Sequence, residues 1–222
     1  MARRGTFITL EGVDGAGKST QVLMLVERLR AAGAEVVSLR EPGGTPISEK
    51  IRSLILDRAN AEMAPECELL LFEAARAQLV CEVIEPALER GATVVCDRFY
   101  DSTHAYQAGA RGMDDALVTR ANELGSCGVV PDITIVLDME PECAFMRAEG
   151  RGEHDRMEAE GLAFQCRVRE DYRLLAEAEP ARVRLVDADG APDEVYARLE
   201  ETLTAALPGL FEGVAAQESN HG

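Results

Sequence analysis

The stretch Gly12-Val13-Asp14-Gly15-Ala16-Gly17-Lys18-Ser19 decides the fold, because it fits the pattern GxxxxGK(S/T) of a phosphate-binding P-loop. The apolar run at residues 6–10 before it predicts a β-strand. Apolar residues after it are spaced i, i+3, i+4 and i+7 and predict a helix; they are Val22, Leu25, Val26 and Leu29. A glycine-rich turn without a chemical role is the alternative, which this strand-loop-helix context disfavours.

The residue types of this loop indicate how it would hold the phosphates of a nucleoside triphosphate. Its glycines let successive backbone N–H groups converge on one concavity, at the positive end of the following helix dipole. Lys18 would reach the β- and γ-phosphates as a mobile positive charge, and the Ser19 hydroxyl would be a ligand of Mg²⁺. The predicted ATP-binding residues of this segment are Gly12, Val13, Asp14, Gly15, Ala16, Gly17, Lys18, Ser19 and Thr20.

Length and composition indicate one cytoplasmic domain. A chain of 222 residues, 46% of them hydrophobic, can build one large core but not two comfortable ones. No apolar run approaches the ~18 residues that span a bilayer, and no signal-peptide core follows the first residues, so we expect no membrane partner. We place the domain at residues 1–207, followed by a loosely ordered tail at 208–222. The six cysteines are scattered, and we expect them to be reduced and buried.

The charge balance limits the classes of ligand. With 23 Lys and Arg against 40 Asp and Glu, the formal net charge is −17. This value disfavours a protein that holds nucleic acid by its phosphates, because such a protein needs a basic face. A small anionic substrate needs only a local cluster of cations, so we expect the functional arginines near the P-loop.

Strand and helix patterns alternate along the whole chain. Further strand patterns lie at residues 35–39, 92–96, 132–138 and 183–187, and most of the intervening segments have helical periodicity. The alternation predicts an α/β domain with a five-stranded parallel sheet and helices on both faces.

Charged residues follow several of these strands, at the edge of a parallel sheet where ligands bind. Arg40 begins the tight loop Arg40-Glu41-Pro42-Gly43-Gly44-Thr45, and Asp97-Arg98 follows the third strand. Asp97 would hold Mg²⁺ directly or through water, and Arg98 would clamp an anion. The alternatives are a surface arginine at position 40 and an Asp–Arg pair that caps the next helix.

Two helical patterns carry side chains that could read a nucleobase. Phe72 and Arg76 are four residues apart and share one helix face. Phe72 could belong to the core, or the pair could sandwich and hydrogen-bond a base, and spacing does not decide between these. Thr103, Tyr106 and Gln107 could likewise form a solvated helix or the wall of a pocket.

A loop of mixed charge breaks the apolar periodicity at residues 150–156. Its sequence is Gly150-Arg151-Gly152-Glu153-His154-Asp155-Arg156, with two glycines and two arginines. It could close over a transferring phosphate as a lid, at about 148–157, or it could be a solvated run of charges.

Together these motifs resemble the bacterial thymidylate kinases, which are P-loop nucleoside monophosphate kinases. The resemblance extends from Phe7 to about Leu203. It rests on motifs in the order of the family: Gly12-Val13-Asp14 in the P-loop, the run from Arg40 to Thr45, Phe72 with Arg76, Asp97-Arg98, Ser102-Thr103, Ala105-Tyr106-Gln107, Pro131-Asp132 and the lid 151–156. The P-loop alone would indicate only an NTPase.

The resemblance implies roles for the dTMP-binding residues. Phe72 would stack on thymine, while Arg76, Thr103 and Gln107 would hydrogen-bond its edge. Tyr106 would crowd the 2′ position of the sugar and so favour deoxyribose. Asp14 would lie near the 3′-hydroxyl of the sugar, and Arg40 and Arg98 would hold the monophosphate. Arg147 would lie on the adenine of ATP, beside the loop 187–190.

The family supplies its catalytic arginine in one of two ways. One type has arginine in the P-loop directly after the acid, where this chain has Gly15. The other keeps basic residues in the lid, which Arg151 and Arg156 match. We therefore expect Arg151 to be catalytic together with Lys18 and Arg98. Glu149 departs from members that carry another basic residue at that position.

The implied reaction is in-line transfer of the γ-phosphoryl group of ATP to dTMP, giving dTDP and ADP for dTTP synthesis, with Mg²⁺ as cofactor and a homodimer as the expected assembly. A GTP-dependent switch protein is disfavoured, because no Asn-Lys pair of an NKxD element occurs in the sequence. A kinase for another nucleotide is the closer alternative, and a nucleic-acid-dependent ATPase is disfavoured by the charge.

Overall fold

The computed structural model describes residues 4–148 and 155–212. Its sheet has five strands, β1 (Phe7–Glu11), β2 (Val36–Arg40), β3 (Thr93–Asp97), β4 (Ile133–Asp138) and β5 (Val183–Asp187). The strands are parallel and lie in the order β2-β3-β1-β4-β5. The predicted α/β class and five-stranded parallel sheet are confirmed.

Nine α-helical segments accompany the sheet in the described part of the chain. They are α1 (Lys18–Ala31), α2 (Pro46–Leu56), α3 (Pro65–Leu79), α4 (Glu85–Glu89), α5 (Tyr100–Thr103), α6 (Asp115–Gly125), α7 (Pro141–Ala148), α8 (Leu162–Ala178) and α9 (Pro192–Ala206). Two π-helical segments, Val80–Ile84 and His104–Ala110, continue α3 and α5. Short 3₁₀ turns occur at Arg58–Asn60 and Glu158–Glu160.

Apolar side chains cover both faces of the sheet, as period-two alternation in a buried parallel strand requires. In β3, Val95 belongs to a core cluster with residues of α1, α8 and α9. Its neighbours Val94 and Cys96 belong to a second cluster, with α4 and the π-helical segment Val80–Ile84. The central strands are thereby fixed from both sides, and their carboxyl ends form a rigid base for a site.

Helix boundaries near glycine and proline differ from the sequence-based expectation. The long helix expected from about Glu66 to Glu89 is α3, a π-helical turn and α4 in succession, and Pro86, which has no N–H to donate, follows that turn. The helix expected from Glu158 begins only at Leu162, because Gly161 has φ +85 and interrupts it. The sequence analysis predicted no helix at the position of α6.

Two further expectations from the sequence concern the cysteines and membrane-spanning segments. The expectation of buried cysteines is wrong for Cys67, Cys81, Cys127 and Cys166, which are exposed because they lie on the outer faces of their helices and loops. Within residues 4–148 and 155–212, no helix has the length and apolar character that crossing a membrane requires.

Candidate active site

A cleft of about 290 Å³ opens at the carboxyl ends of β1, β2 and β3. It is lined by all eight residues predicted to bind dTMP and by Lys18, Ser19 and Asp97, whereas Gly12, Val13 and Ala16 of the P-loop are not among its lining residues. These lining residues are Asp14, Lys18, Ser19, Arg40, Phe72, Arg76, Asp97, Arg98, Thr103, Tyr106 and Gln107. Residues that lie more than 90 positions apart in the sequence are therefore brought to one surface.

The P-loop lysine is folded back onto its own loop. Lys18 Nζ donates to the carbonyl oxygens of Gly12 at 3.1 Å and Val13 at 2.9 Å. Burial, reinforced by the positive charge of Arg98, lowers the pKa of Lys18 to about 8. A buried ammonium held by carbonyl oxygens would gain from a phosphate anion, so the arrangement favours movement of this side chain onto a ligand.

Ser19 and Asp97 form an oxygen pair beside the lysine. The Ser19 hydroxyl donates to Asp97 Oδ2 at 2.7 Å. Mg²⁺ prefers such oxygen ligands, and it usually binds through one or two protein groups together with substrate phosphates and waters. No group of three or more His, Cys, Asp or Glu suited to a metal occurs in residues 4–148 and 155–212. The residues present fit a cation that is held mainly by its nucleotide.

Gly15, the position after the P-loop acid, has no room for a side chain. Its φ is +87, and a Cβ atom there would lie 2.2 Å from the carbonyl oxygen of Ala144 on α7. An arginine at this position would therefore require α7 and the loop to separate. This packing agrees with the expectation that the P-loop does not supply the catalytic arginine.

Arg98 and Asp14 form the centre of the cleft. Arg98 Nη2 donates to Asp14 Oδ1 at 2.5 Å and to the Tyr106 hydroxyl at 3.1 Å, and Tyr106 donates to Asp14 Oδ2 at 3.1 Å. Burial alone would raise the pKa of Asp14, but the charges of Arg98 and Lys18 lower it. Arg98 has φ +72, a conformation that a non-glycine residue rarely adopts and that is typical of functional sites.

Glu11 supports this centre from behind and was not predicted. It is fully buried at the end of β1 and accepts hydrogen bonds from the Phe99 backbone N–H at 2.7 Å, Ser102 at 2.5 Å and Tyr172 at 2.7 Å. Burial raises the pKa of Glu11, although the nearby Arg98 opposes the shift. The available signal was an acid between the predicted strand at residues 6–10 and the P-loop.

The base end of the cleft is built around Arg76, which is buried. Arg76 donates to Glu41 at 2.8 Å, Glu73 at 2.5 Å, Asn122 at 3.2 Å and Thr103 at 2.8 Å. These bonds use four of the five N–H groups of an arginine, and among the described contacts one N–H of Nη2 remains for a ligand. Arg76 is therefore positioned before any ligand arrives.

The acids beside Arg76 were missed by the sequence analysis. Glu41 and Glu73 each have one buried carboxylate oxygen, Oε1 and Oε2 respectively, without a hydrogen-bond partner in the described part of the chain. Burial raises the pKa of Glu41 to about 7, against the lowering effect of Arg76. Glu41 lies in the quoted run from Arg40 to Thr45, and Glu73 is on the same helix as Arg76, but the sequence analysis assigned neither of them a role.

The other base-end residues also lie where a pocket wall requires them. Phe72 is half-buried in the cleft lining, and Thr103, Tyr106 and Gln107 are buried with their side chains at the cleft. Tyr106 and Gln107 belong to the π-helical segment His104–Ala110, a type of segment that is frequent at functional sites. The pocket-wall alternative is favoured over the solvated helix.

Arg40 and a second arginine reach the cleft from β2 and α2. Arg40 pairs with Glu49 at 3.0 Å and donates to the Pro42 carbonyl oxygen at 2.9 Å. Arg52, which the sequence analysis did not identify, donates to the same oxygen at 2.9 Å and lines the cleft. Burial and the charge of Arg40 lower the pKa of Arg52. An anion between the two guanidinium groups would relieve their repulsion.

Two other predicted residues, Arg147 for adenine and Arg156 in the lid, are not among the residues that line the cleft. Arg147 faces the loop after β5, with its Nη1 3.4 Å from the Ala188 oxygen and its Nη2 3.6 Å from Asp189. Arg156 is buried, donates to the Ile55 carbonyl oxygen at 2.7 Å and pairs with Glu68 at 2.5 Å. Of the predicted lid, residues 149–154, including Arg151 and Glu149, lie outside the described residues.

A family model described as thymidylate kinase matches residues 10–199. The chain belongs to the thymidylate kinase family. A thymidylate kinase of Prosthecochloris aestuarii is 49% identical in a match 215 residues long, which covers 93% of this chain and 96% of that protein. One of Pseudomonas fluorescens strain SBW25 is 49% identical over 208 residues, covering 94% of this chain and 97% of that protein.

A crystal structure of thymidylate kinase from Ehrlichia chaffeensis has a TM-score of 0.74 to this chain at 32% identity, over 90% of this chain and 99% of that one. These matches confirm the family, the fold and the enzyme class predicted from the sequence. The predicted activity, phosphorylation of dTMP to dTDP with ATP, is the activity of a thymidylate kinase.

Proposed function

We propose that dTMP lies along the described cleft, with its base at the Arg76 end and its phosphate at the Arg98 end, next to ATP on the P-loop. The observation that carries this proposal is that one cleft is lined by all eight residues expected to bind dTMP and also by Lys18 and Ser19. In this placement Phe72 stacks on thymine. The free N–H of Arg76 Nη2 donates to the thymine O4 atom, and Thr103 and Gln107 complete the contacts to the base edge.

Selection of deoxyribose follows from the pair formed by Tyr106 and Asp14. Tyr106 is only 6% exposed and is held by Asp14 and by Arg98, whose guanidinium lies 5.1 Å from its ring centroid. A side chain fixed in this way cannot move aside for a 2′-hydroxyl. The Asp14 carboxylate, kept ionised by Arg98 and Lys18, is available as an acceptor for the 3′-hydroxyl of the sugar.

Phosphoryl transfer in this arrangement needs no general base, because an oxygen of the dTMP phosphate is already a charged nucleophile. Catalysis is then positioning and neutralisation of charge. Lys18 leaves the Gly12 and Val13 oxygens for the ATP phosphates, and Arg98 holds the acceptor phosphate. Arg40 and Arg52 hold that phosphate from the other side. We assign transition-state charge neutralisation to Arg151.

Magnesium is the proposed cofactor, and Ser19 and Asp97 are the residues that would hold it. When bound, it neutralises charge on the ATP phosphates. The remaining ATP contacts are assigned to residues 12–20 and to Arg147 on the adenine.

We propose a homodimer for the assembly. Leu70 on α3 and Leu124 on α6 are 65% and 78% exposed, and these two helices pack against each other. Large apolar side chains exposed on neighbouring helices are typical of a protein interface. Sedimentation of the protein and of its Leu124→Glu variant tests this: the variant is expected to sediment as a monomer.

Three other expectations from the sequence stay predictions. They are the single domain at 1–207 with a lid at 148–157, the tail at 208–222 and the cytoplasmic location.

The experiment that tests the site is ADP release from ATP and Mg²⁺, with dTMP, dUMP, dCMP, dGMP and AMP as parallel acceptors. We expect dTMP to exceed the others by orders of magnitude in kcat/KM. The matched variant is Phe72→Leu, which keeps an apolar side chain but removes the stacking ring, and should raise the KM for dTMP. An unchanged KM for dTMP in this variant would contradict the placement of the base.

A further inference from the structure

Glu68, on α3, is a buried carboxylate at the base end of the cleft with no role in the mechanism above. Its side chain is 1% exposed. Oε1 accepts from Gln107 Nε2 at 2.8 Å and from Arg111 Nε at 2.5 Å, and Oε2 accepts from Arg111 Nη2 at 3.0 Å and pairs with Arg156 Nη2 at 2.5 Å. A carboxylate has about four lone-pair sites, so its capacity as an acceptor is filled.

These contacts keep Glu68 ionised. Burial alone would raise the pKa of Glu68, but the hydrogen bonds from Arg111 and Gln107 and the charge of Arg156 lower it. An ionised carboxylate can only accept hydrogen bonds. The atom of the Gln107 amide that faces Glu68 must therefore be its nitrogen.

We propose that Glu68 is a specificity-determining residue, which fixes the amide of Gln107 so that its oxygen is presented to the nucleobase. The inference rests on the proposed function, in which Gln107 lies against the base. Gln107 is itself 1% exposed and lines the cleft. One N–H of its Nε2 donates to Glu68, which fixes which side of the amide is nitrogen, and Oε1 is the acceptor that remains.

The orientation of this amide decides which pyrimidine fits. Thymine and uracil carry a hydrogen on N3 and can donate it to Gln107 Oε1. Cytosine has a lone pair on N3 and an amino group on C4, so it would set an acceptor against Oε1 and a donor against Arg76. If Gln107 could rotate its amide, the first of these two conflicts would vanish. Glu68 prevents that rotation because it offers no donor.

The test compares kcat/KM for dTMP, dCMP and dUMP in the wild-type enzyme and in Glu68→Gln, with dCMP measured as a competitive inhibitor where its turnover is too slow. A glutamine at position 68 can donate as well as accept, so Gln107 is released. We expect the dTMP-to-dCMP ratio to fall roughly tenfold or more, the effect of one buried polar mismatch. The dTMP-to-dUMP ratio should stay within about twofold, because these bases share N3–H and O4.

The matched control is Arg111→Met, which removes a cation from Glu68 but keeps the bond to Gln107. It should lower the melting temperature and leave both ratios unchanged. If Glu68→Gln leaves both ratios unchanged, or lowers both in parallel, Glu68 has only a structural role and the inference is wrong. The variant Gln107→Met tests the base site separately from the role of Glu68. If this variant leaves both ratios unchanged, Gln107 does not contact the base and the proposed base site is wrong.

A measurement on the wild-type enzyme covers the case in which Glu68→Gln does not fold. With ¹⁵N-labelled glutamine side chains, hydrogen exchange of the Gln107 amide protons should be slow both without and with dTMP, because Nε2 stays on Glu68. Exchange that becomes slow only when dTMP is bound would place Nε2 on the base and overturn the inference.

Discussion

The phosphate end and the base end of the cleft hold their cations in opposite ways. At the phosphate end, the hydrogen bonds of Lys18 within the described part of the chain go to two carbonyl oxygens, and Arg40 is half exposed in a pair with Glu49. At the base end, Arg76 is buried and bonded to two buried acids, with four of its five N–H groups in use. Lys18 and Arg40 are thus free to rearrange around ligands, whereas Arg76, like Arg98 with its bonds to Asp14 and Tyr106, is set before the ligand binds.

The difference agrees with the chemistry of the two halves of the substrate. Phosphate carries charge that attracts any nearby cation, so its ligands can move and still find it. A base edge is neutral and must be read by hydrogen bonds of fixed direction, which only a preorganised group can supply without an added entropy cost. We therefore expect substitutions at the phosphate end to change activity, and those at the base end to change stability as well.

The largest expected effect is on catalysis, from Arg151→Ala. If Arg151 neutralises charge in the transition state, kcat should fall by about 10³-fold, while the KM for dTMP changes only a few-fold. Steady-state kinetics with saturating ATP measure both. Arg151→Lys is the matched control, because it keeps the positive charge without the planar group and should lose less. An unchanged kcat in Arg151→Ala would remove Arg151 from the mechanism.

The second prediction compares the stability of Arg76→Met and Lys18→Met. Loss of Arg76 leaves Glu41 and Glu73 buried without their cation, and we expect the free energy of unfolding to fall by about 3–5 kcal/mol. Loss of Lys18 removes a buried charge that no carboxylate of residues 4–148 and 155–212 pairs with directly, so the change should stay within about 1 kcal/mol. Urea unfolding at pH 7 measures both variants, and equal losses would refute the difference between the two ends.

The sequence predicted the phosphate end more completely than the base end, for a physical reason. A P-loop acts through its backbone, so its function depends on residues that are adjacent in sequence, and the pattern at 12–19 contained almost all of it. Asp97 and Arg98 were found because they end a strand. At the base end, Arg76 works through Glu41, Glu73 and Asn122, which come from a loop and two helices and share no pattern.

The same limit applies to the fold. Strands with continuous apolar runs were predicted to within one or two residues, because burial on both faces leaves a local signal. Helix α6 was not predicted, and the segment His104–Ala110 was predicted as helical but not as π-helical, since their form is decided by packing against other helices. The prediction of Arg156 as a lid cation did not include its ion pair with Glu68, because Glu68 lies 88 positions earlier in the sequence.

The third prediction concerns His104, at the start of the π-helical segment that carries both Tyr106 and Gln107. Hydrogen bonds to Asp171 and Asp115, both 2.7 Å, raise the pKa of His104 to about 9, from 6.5 in an unfolded chain. Its contribution to stability is therefore complete below pH 6.5 and disappears as the pH rises through 9. The upper limit for this contribution is on the order of 3 kcal/mol.

Unfolding of the wild-type protein and of His104→Gln at several pH values measures this contribution. The difference in unfolding free energy should be largest at pH 6 and close to zero by pH 10. A difference that stays constant over this range would show that packing of the ring, and not its charge, connects the segment to Asp171.

The smallest expected effect is that of Arg40→Ala, and it addresses the comparison most directly. The Arg40–Glu49 pair is exposed, with side chains 47% and 44% accessible, so its loss should change the free energy of unfolding by less than about 1 kcal/mol. If Arg40 holds the dTMP phosphate, the KM for dTMP should still rise roughly tenfold, with kcat nearly unchanged. Glu49→Gln is the control, because it breaks the same pair but leaves the cation and should not raise this KM. If Arg40→Ala instead lowers the free energy of unfolding and leaves the KM for dTMP unchanged, Arg40 stabilises the fold and does not bind the substrate. The phosphate end would then be as rigid as the base end.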